Sequence, residues 1–290
     1  MRKYYEWVIE TLISLSGIAS IVFVLLICFF VLKEGLMLFR TTGVFDFIFG
    51  TRWYPISEPP RFGILPLILG SLWVTAGATV ISVPFGIACA IFIGEIASGW
   101  LRETLKAGVE LLAAIPSIVL GFVGLVTLVP LVKKMFGLPT GLTALSGSIM
   151  LAFMAMPTIV SIMEDALNAV PRGYREGSIA MGATKWQTIY RIVLPSASSG
   201  IIAAIMLGIG RVIGETMAVM MITGNAAVIP KSLFQPVRTM TATIAAEMGE
   251  TVQGSDHYFA LFAIGIVLFV ITFMVNLLAD LFLHRKRVQA

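Results

Sequence analysis

The chain has 290 residues, of which 58% are hydrophobic and only 12% are charged, and its formal net charge is +4. Soluble domains carry roughly 25% charged residues, so this composition excludes an ordinary water-soluble domain and indicates a polytopic membrane protein. The mild basic excess forms no basic patch interleaved with aromatic residues, which argues against nucleic acid as a partner.

Six stretches reach the roughly 20 mainly apolar residues that a membrane-spanning helix needs. They are continuously apolar rather than alternating, which favours helices over a closed barrel. The predicted fold class is therefore all-α, a polytopic membrane protein with six transmembrane helices. The predicted spans are residues 11–33, 64–97, 107–132, 142–164, 198–223 and 257–283.

These spans divide the chain into three regions. They are an N-terminal helix with an outer, periplasmic loop (1–63), a core of five helices (64–283) and a basic tail (284–290). Six spans put both termini on one side of the membrane, and the basic residues at both ends favour the cytoplasm for that side. The first apolar run is too long for the apolar region of a signal peptide, so we expect it to stay as the first span.

The outer loop 40–63 is long and aromatic. It contains Arg52, Trp53 and Tyr54, which belong to residue types enriched at interface anchors. These three residues are therefore candidates for docking a soluble partner outside the membrane. An aromatic belt at the membrane surface explains Trp53 equally well.

The inner stretch 165–197 is too polar to insert into a membrane, yet its apolar residues recur at helical spacing. We expect two short helices that are joined by a turn at Gly182 and lie across the cytoplasmic face, seated in a groove of a soluble partner. The stretch contains Glu176-Gly177-Ser178, then three residues, Gly182, nine residues and the run from Ile192 to Pro195.

This spacing resembles the inner-loop motif of ATP-binding-cassette importer permeases, which is Glu-Ala-Ala, three residues, Gly, nine residues and Ile-x-Leu-Pro. Glycine and serine replace the two alanines here, and the glycine is expected to loosen the helix by about 1 kcal/mol. The remaining motif positions are in register. The resemblance assigns ATPase coupling to six residues: Glu176, Gly182, Ala183, Ile192, Leu194 and Pro195.

From about residue 45 onward, the chain is also similar to phosphate importer permeases. The segments that carry this likeness include FGILPLILGSLWVT, AAIPSIVLGFVGL and GRVIGETMAV, and GETMAV with TGN looks more like the PstC subunit than its PstA partner. The resemblance implies a type I importer permease fold and transport of inorganic phosphate across the inner membrane. It further implies a PstA-type second permease, two ATPase subunits and a periplasmic phosphate-binding protein as partners.

The fifth predicted span contains Arg211 and Glu215, which would share one face of a continuous helix. Charges inside a membrane are costly and mark functional sites by default, and an arginine can bond two oxygens of an anion such as phosphate. We therefore expect a translocation site here, with Thr216 and Asn225 as further lining candidates. Glu215 either neutralises Arg211 or accepts a hydrogen bond from protonated phosphate. A self-neutralising pair that faces other helices is the alternative.

Other functional classes fit the sequence less well. The chain has no Gly-x-x-x-x-Gly-Lys-Ser/Thr loop, so another chain must bind and hydrolyse ATP, and this chain is not expected to be an enzyme. It also lacks the His-Glu-x-x-His and Gly-x-Ser-x-Gly motifs of an intramembrane enzyme, and a channel has no use for an ATPase-docking loop. Cys28 and Cys89 offer no disulfide framework, and no metal or other cofactor is expected. A permease for another oxyanion, such as sulfate or molybdate, stays open as the alternative.

Overall fold

The computed structural model describes the backbone of residues 2–287 and the side chains of residues 9–277. Residues 288–290 of the predicted basic tail lie outside the described residues, as do the side chains of the rest of that tail. A short antiparallel hairpin pairs β1 (Trp53–Tyr54) with β2 (Arg61–Phe62). The α-helices are α1 (Arg2–Met37), α2 (Val44–Phe49), α3 (Leu65–Ile91), α4 (Gly99–Ala114), α5 (Ser117–Val126), α6 (Leu128–Phe136), α7 (Ala144–Asn168), α8 (Arg172–Ala180), α9 (Lys185–Thr188), α10 (Leu194–Ser196), α11 (Ser198–Gly214), α12 (Met217–Ile222), α13 (Met240–Glu247) and α14 (Asp256–Arg287).

The predicted all-helical membrane fold is confirmed. Among the described residues, five helical segments are long and apolar enough to cross a membrane: Ile9–Arg40, Leu65–Ile96, Ser117–Phe136, Ala144–Asn168 and Asp256–Leu277. A sixth crossing results if Lys185–Ser196 and Ser198–Gly214, which meet at 72°, are one bent span.

The third span differs from its predicted boundaries of 107–132. The chain is extended at Ile115 and Pro116, so α4 is a separate helix and the apolar crossing begins at Ser117. Proline disfavours the helical conformation in the residue before it, which explains why α4 ends at this point. Residues 107–114 therefore belong to an amphipathic helix that packs against the end of α7 rather than to the span.

The centre of the fold is α7, which packs against α3 on one side and α11 on another. Ile159 of α7 is fully buried and lies over Gly86 of α3 and Gly208 of α11. A Cβ built on Gly86 would lie 2.7 Å from Ile159 Cγ2, and one built on Gly208 would collide with Ile159 Cγ1. These glycines allow the close helix approach that is typical of membrane bundles.

The two ends of the bundle differ in character. One end, here called the hairpin end, carries the β-hairpin and the segment 224–256. That segment folds against the bundle, since the N–H groups of Ala144 and Leu145 donate to the carbonyls of Gln235 and Leu233 at 2.9 and 2.8 Å. The opposite end, here called the coupling end, carries α4, α8 and α9.

Candidate functional site

The fifth predicted span does not continue as one helix through its two charged residues. α11 ends at Gly214, and Glu215 has an extended backbone (φ −69°, ψ 132°) before α12 begins at Met217. Arg211 is therefore in the last turn of α11, whereas Glu215 lies beyond the end of that helix. The expectation that the two side chains share one helix face is wrong, because the helix stops between them.

Glu215 caps the start of α12 instead of pairing with Arg211. Its Oε1 accepts hydrogen bonds from the backbone N–H groups of Thr216 (3.2 Å) and Ala218 (3.4 Å). The first N–H groups of a helix lack partners within the helix and favour a nearby negative charge. The hydroxyl of Thr241 donates to the Glu215 carbonyl at 2.9 Å and ties this break to α13.

Arg211 is exposed on the surface of the single chain. It forms no hydrogen bond or ion pair with any residue whose side chain the structure describes. An unpartnered arginine at membrane depth is costly in lipid. This face of α11 is therefore suited to another subunit or to an aqueous path rather than to hydrocarbon.

Thr216 and Asn225 lie at opposite ends of α12, a helix about 9 Å long at 1.5 Å per residue. The Thr216 hydroxyl donates to the Gly214 carbonyl at 3.2 Å. Asn225 has a positive φ of 49°, and its Nδ2 donates to the Met220 carbonyl at 2.7 Å. Its Oδ1 is buried with no partner among the described residues. The four predicted residues thus do not form one cluster, since Asn225 lies away from Glu215 and Thr216.

The inner segment 165–197 folds as the predicted pair of short helices, α8 and α9. They are joined by a turn in which Gly182 has a φ of +84°, and Thr184 and Gln187 form a capping box at the start of α9. Nothing lies within 4 Å of a Cβ built on Gly182, so glycine serves the backbone conformation here and not a close contact. The predicted turn at Gly182 is confirmed.

The side chains around this turn are largely uncovered. Glu176, Gly182 and Pro195 are exposed, whereas Ala183 and the two aliphatic motif residues, Ile192 and Leu194, are half-buried. Exposed apolar surface of this extent is typical of a contact with another protein or with a membrane. The coupling surface, as we call it, consists of five large side chains that are more than half exposed: Tyr174, Ile179, Met181, Trp186 and Tyr190.

Charge clusters at the coupling end were not predicted from the sequence. The buried carboxylate of Glu164 on α7 accepts hydrogen bonds from Arg102 (2.6 Å) and Lys106 (2.7 Å) of α4. The hydrogen bond to Glu164 raises the pKa of Lys106 above its usual value. Arg175 of α8 bonds to Glu95 at 2.6 Å. These partners are 58 to 80 residues apart in sequence, so no local pattern could have paired them.

Trp53 is a core residue of the hairpin end, and both sequence interpretations of it are wrong. Its side chain is 3% exposed, and its indole packs edge-to-face against Phe62 and His257. The indole N–H donates to Glu247 of α13. Trp53 therefore neither faces lipid headgroups nor presents its ring to a soluble partner.

Arg52 and Tyr54, by contrast, are exposed. Arg52 lines an open cavity of about 660 Å³ at the hairpin end, together with Arg61, Asp46 and Asp256. Charges of both signs around a cavity provide polar contacts for a soluble partner. These two of the three predicted docking residues thus stay candidates.

Residues 82–288 match the protein family described as "Binding-protein-dependent transport system inner membrane component". The match includes the helix break near Arg211 and the whole coupling segment. The chain belongs to this family. The chain is therefore a membrane component of a transport system, as the spans and the inner-loop spacing predicted. The expectation that this subunit is not itself an enzyme is also confirmed, because the family is a transport component.

Curated relatives extend the likeness over nearly the whole chain. The PstC phosphate transport system permease protein of Haemophilus influenzae is 34% identical, and the match covers 99% of this chain and 97% of that protein. The PstC protein of Mesorhizobium japonicum is 39% identical, with coverage of 84% and 80%. A probable ABC transporter permease of Bacillus subtilis, YqgH, is 41% identical, with coverage of 88% and 83%.

Solved structures show the same fold at low identity. A bacterial alginate ABC transporter aligns with a TM-score of 0.67 at 17% identity, covering 95% of this chain and 94% of that chain. The MetNI methionine ABC transporter aligns with a TM-score of 0.58 at 22% identity, covering 79% and 99%. The permease fold of ABC importers is thus shown.

Proposed function

We propose that this chain is the PstC-type permease subunit of an ATP-driven importer that translocates inorganic phosphate delivered by a binding protein. The observation that carries the proposal is the likeness to the PstC protein of Haemophilus influenzae, which extends over 99% of this chain. The protein pairs with a PstA-type permease, and two ATPase subunits bind at the coupling end. It is a multi-pass protein of the inner (plasma) membrane with both termini in the cytoplasm.

The coupling surface is the ATPase contact in this proposal. It joins exposed aromatic and aliphatic side chains to the exposed carboxylate of Glu176, a mixture that fits a groove with an apolar floor and a polar rim. The turn at Gly182 sets the angle between α8 and α9. The partly buried Ile192 and Leu194 anchor this surface to the bundle.

Arg211 is the phosphate contact. It is the charged side chain of α11, it is exposed, and no residue with a described side chain neutralises it. Its planar fork can bond two phosphate oxygens at once, which a lysine ammonium cannot do. The PstA-type subunit lies against this face of α11, so that the path for phosphate runs between the two permeases.

Glu215 contributes to selection between anions. Its Oε1 is committed to the cap of α12, whereas its Oε2 has no hydrogen bond within the described side chains. A free carboxylate oxygen can accept a hydrogen bond from the hydroxyl group that phosphate keeps near neutral pH and that sulfate lacks. A site that bonds a hydroxyl rejects an analogue without one. We therefore assign phosphate, and not sulfate or molybdate, as the substrate.

Uptake by the reconstituted complex tests this function. Proteoliposomes that contain both permeases and the ATPase subunits are supplied with the phosphate-binding protein, ATP and labelled phosphate, sulfate or molybdate. The proposal predicts phosphate uptake that needs both ATP and the binding protein. Uptake of sulfate or molybdate in place of phosphate would assign another substrate to the same machinery. Anion flux without ATP would indicate a channel.

A further inference from the structure

The first coupling helix, α8, lies on the surface of the bundle. Across its described residues 172–180, no residue is fully buried. Apolar packing therefore contributes little to its position. The chain itself joins it to α7 through only three residues, Ala169, Val170 and Pro171, of which Val170 is buried.

One side chain of α8 ties this helix to the bundle. The guanidinium of Arg175 makes hydrogen bonds through all three of its nitrogens. Nη1 donates to the Val170 carbonyl (2.6 Å), and Nη2 donates to the Leu167 carbonyl (2.8 Å) and to Glu95 Oε1 (2.6 Å). Nε completes the contact with Glu95 Oε2 at 3.4 Å.

These bonds reach two different helices. Leu167 is in the last turn of α7, where backbone carbonyls lack helical partners and favour a cation. Glu95 lies in the π-helical segment Phe92–Ile96 that continues α3, and its side chain is only 9% exposed. A carboxylate so deeply buried depends on its counter-charge, because an unpaired buried charge is strongly destabilising. Arg175 thus stabilises the turn between α7 and α8 and connects it to the end of α3.

The two helices that Arg175 contacts, α3 and α7, pack against α11, which carries the proposed phosphate contact. α3 and α7 are packed closely at Gly86 and Ile159, and Ile159 also fills the space against Gly208 of α11. Gly208 lies one turn before Arg211 on the same helix. A displacement of α8 would therefore act through Arg175 on helices that pack closely against α11, the helix whose last turn carries Arg211, and packed interiors transmit strain.

We propose that Arg175 is a positioning residue that transmits the ATPase-driven movement of α8 to α3 and α7. This role deepens the proposed function and rests on it. Arg175 does not touch the substrate or the ATPase in this account. Its contribution is to keep α8 from pivoting about residues 169–171 when the ATPase subunits pull on the coupling surface.

The ratio of phosphate transported to ATP hydrolysed tests this role in the reconstituted complex. We expect Arg175→Ala to form the complex and hydrolyse ATP, while the ratio falls by about tenfold, within the usual range for energetic coupling between sites. Arg175→Lys should recover only part of the ratio, because one ammonium cannot bond Glu95 and two carbonyls in the same plane. Arg172→Ala is the matched control, since Arg172 is on the same helix, is exposed and has no partner among the described side chains.

A purely structural role predicts a different result. The amount of assembled complex would fall, but the complex that remains would keep the wild-type ratio, and that outcome would overturn the inference. If Arg175→Ala prevents assembly, the same ratio is measured in the Glu95→Gln complex instead. Glutamine keeps a hydrogen-bond acceptor for Arg175 but removes the negative charge. A lowered ratio in Glu95→Gln supports the inference, and a wild-type ratio contradicts it. If the wild-type complex transports another anion instead, the phosphate assignment is refuted but the role of Arg175 is not. The ratio of anion transported to ATP hydrolysed would then be measured with that anion.

Discussion

The indole N–H of Trp53 donates to both carboxylate oxygens of Glu247, at 3.2 and 3.1 Å, across 194 residues of sequence. The same carboxylate pairs with Arg238 at 2.6 Å and with His257 at 2.8 Å. One acidic side chain therefore joins the hairpin, the segment before α13 and the start of α14. Trp53 is a structural residue of the hairpin end for this reason.

This relationship predicts that Trp53→Phe destabilises the protein. The change keeps an aromatic ring but removes a hydrogen bond to a charged group, which is worth about 1.5–3 kcal/mol. We expect a lower melting temperature in detergent. Tyr54→Phe is the matched control, because Tyr54 is 59% exposed and its neighbour on the hairpin is the exposed Arg61. Equal melting temperatures for the two variants would contradict this role of Trp53.

The exposed residues of the hairpin end should govern the response to the binding protein. Arg52→Ala and Tyr54→Ala, combined, should weaken the stimulation of ATPase activity by the binding protein and leave the unstimulated rate unchanged. The reason is that Arg52 lines the open cavity and neither side chain is buried. Titration of the binding protein measures the effect as a higher half-saturating concentration. An unchanged titration curve would show that Arg52 and Tyr54 do not contribute to docking of the binding protein.

The left-handed turn at Gly182 predicts a contrast between two glycines of the coupling segment. Gly182→Ala forces a side chain into a backbone conformation that costs roughly 1–2 kcal/mol, so we expect weaker co-purification of the ATPase subunits. Gly177 lies within α8 with open space around it. Gly177→Ala should therefore strengthen the helix and leave the complex intact. Similar ATPase recovery from both variants would be inconsistent with the turn described here.

The contact between Gly208 and Ile159 predicts a second contrast. Gly208→Ala places a methyl group against Ile159, and overpacking of this kind costs about 1–3 kcal/mol. Gly210→Ala, two residues away, meets open space. We expect only the first to lower the melting temperature. Ile159→Ala combined with Gly208→Ala should destabilise the protein by less than the sum of the two single changes, because the new methyl group occupies space that the truncated side chain leaves. Equal stability of the two glycine variants would argue against the close approach of α7 and α11.

The parts of the structure that the sequence predicts are those set by local physics. Continuous apolar runs predicted the spans, except for the start of the third and the helix break within the fifth. The spacing around Gly182 predicted both the short helices and the turn. The apolar pattern does not reveal that the helix ends at Gly214, so the sequence misplaces Glu215, whose carboxylate caps the next helix. The role of Trp53 is predicted wrongly, and that of Arg175 is not predicted at all, because their partners are far away in the chain. A buried role that depends on Glu247 or Glu95 becomes visible only when the helices are packed.

The central claim is that Arg211 contacts phosphate in an ATP-driven permease. Phosphate uptake by proteoliposomes that carry the complete complex with Arg211→Gln tests it most directly, since glutamine keeps a polar side chain of similar length without the charge. Because Arg211 has no ion pair with Glu215, we predict that the variant assembles normally, that uptake is lost, and that Arg211→Lys restores only part of it. Adding Glu215→Gln should not restore transport. Phosphate uptake near the wild-type rate by assembled Arg211→Gln complex would contradict the account.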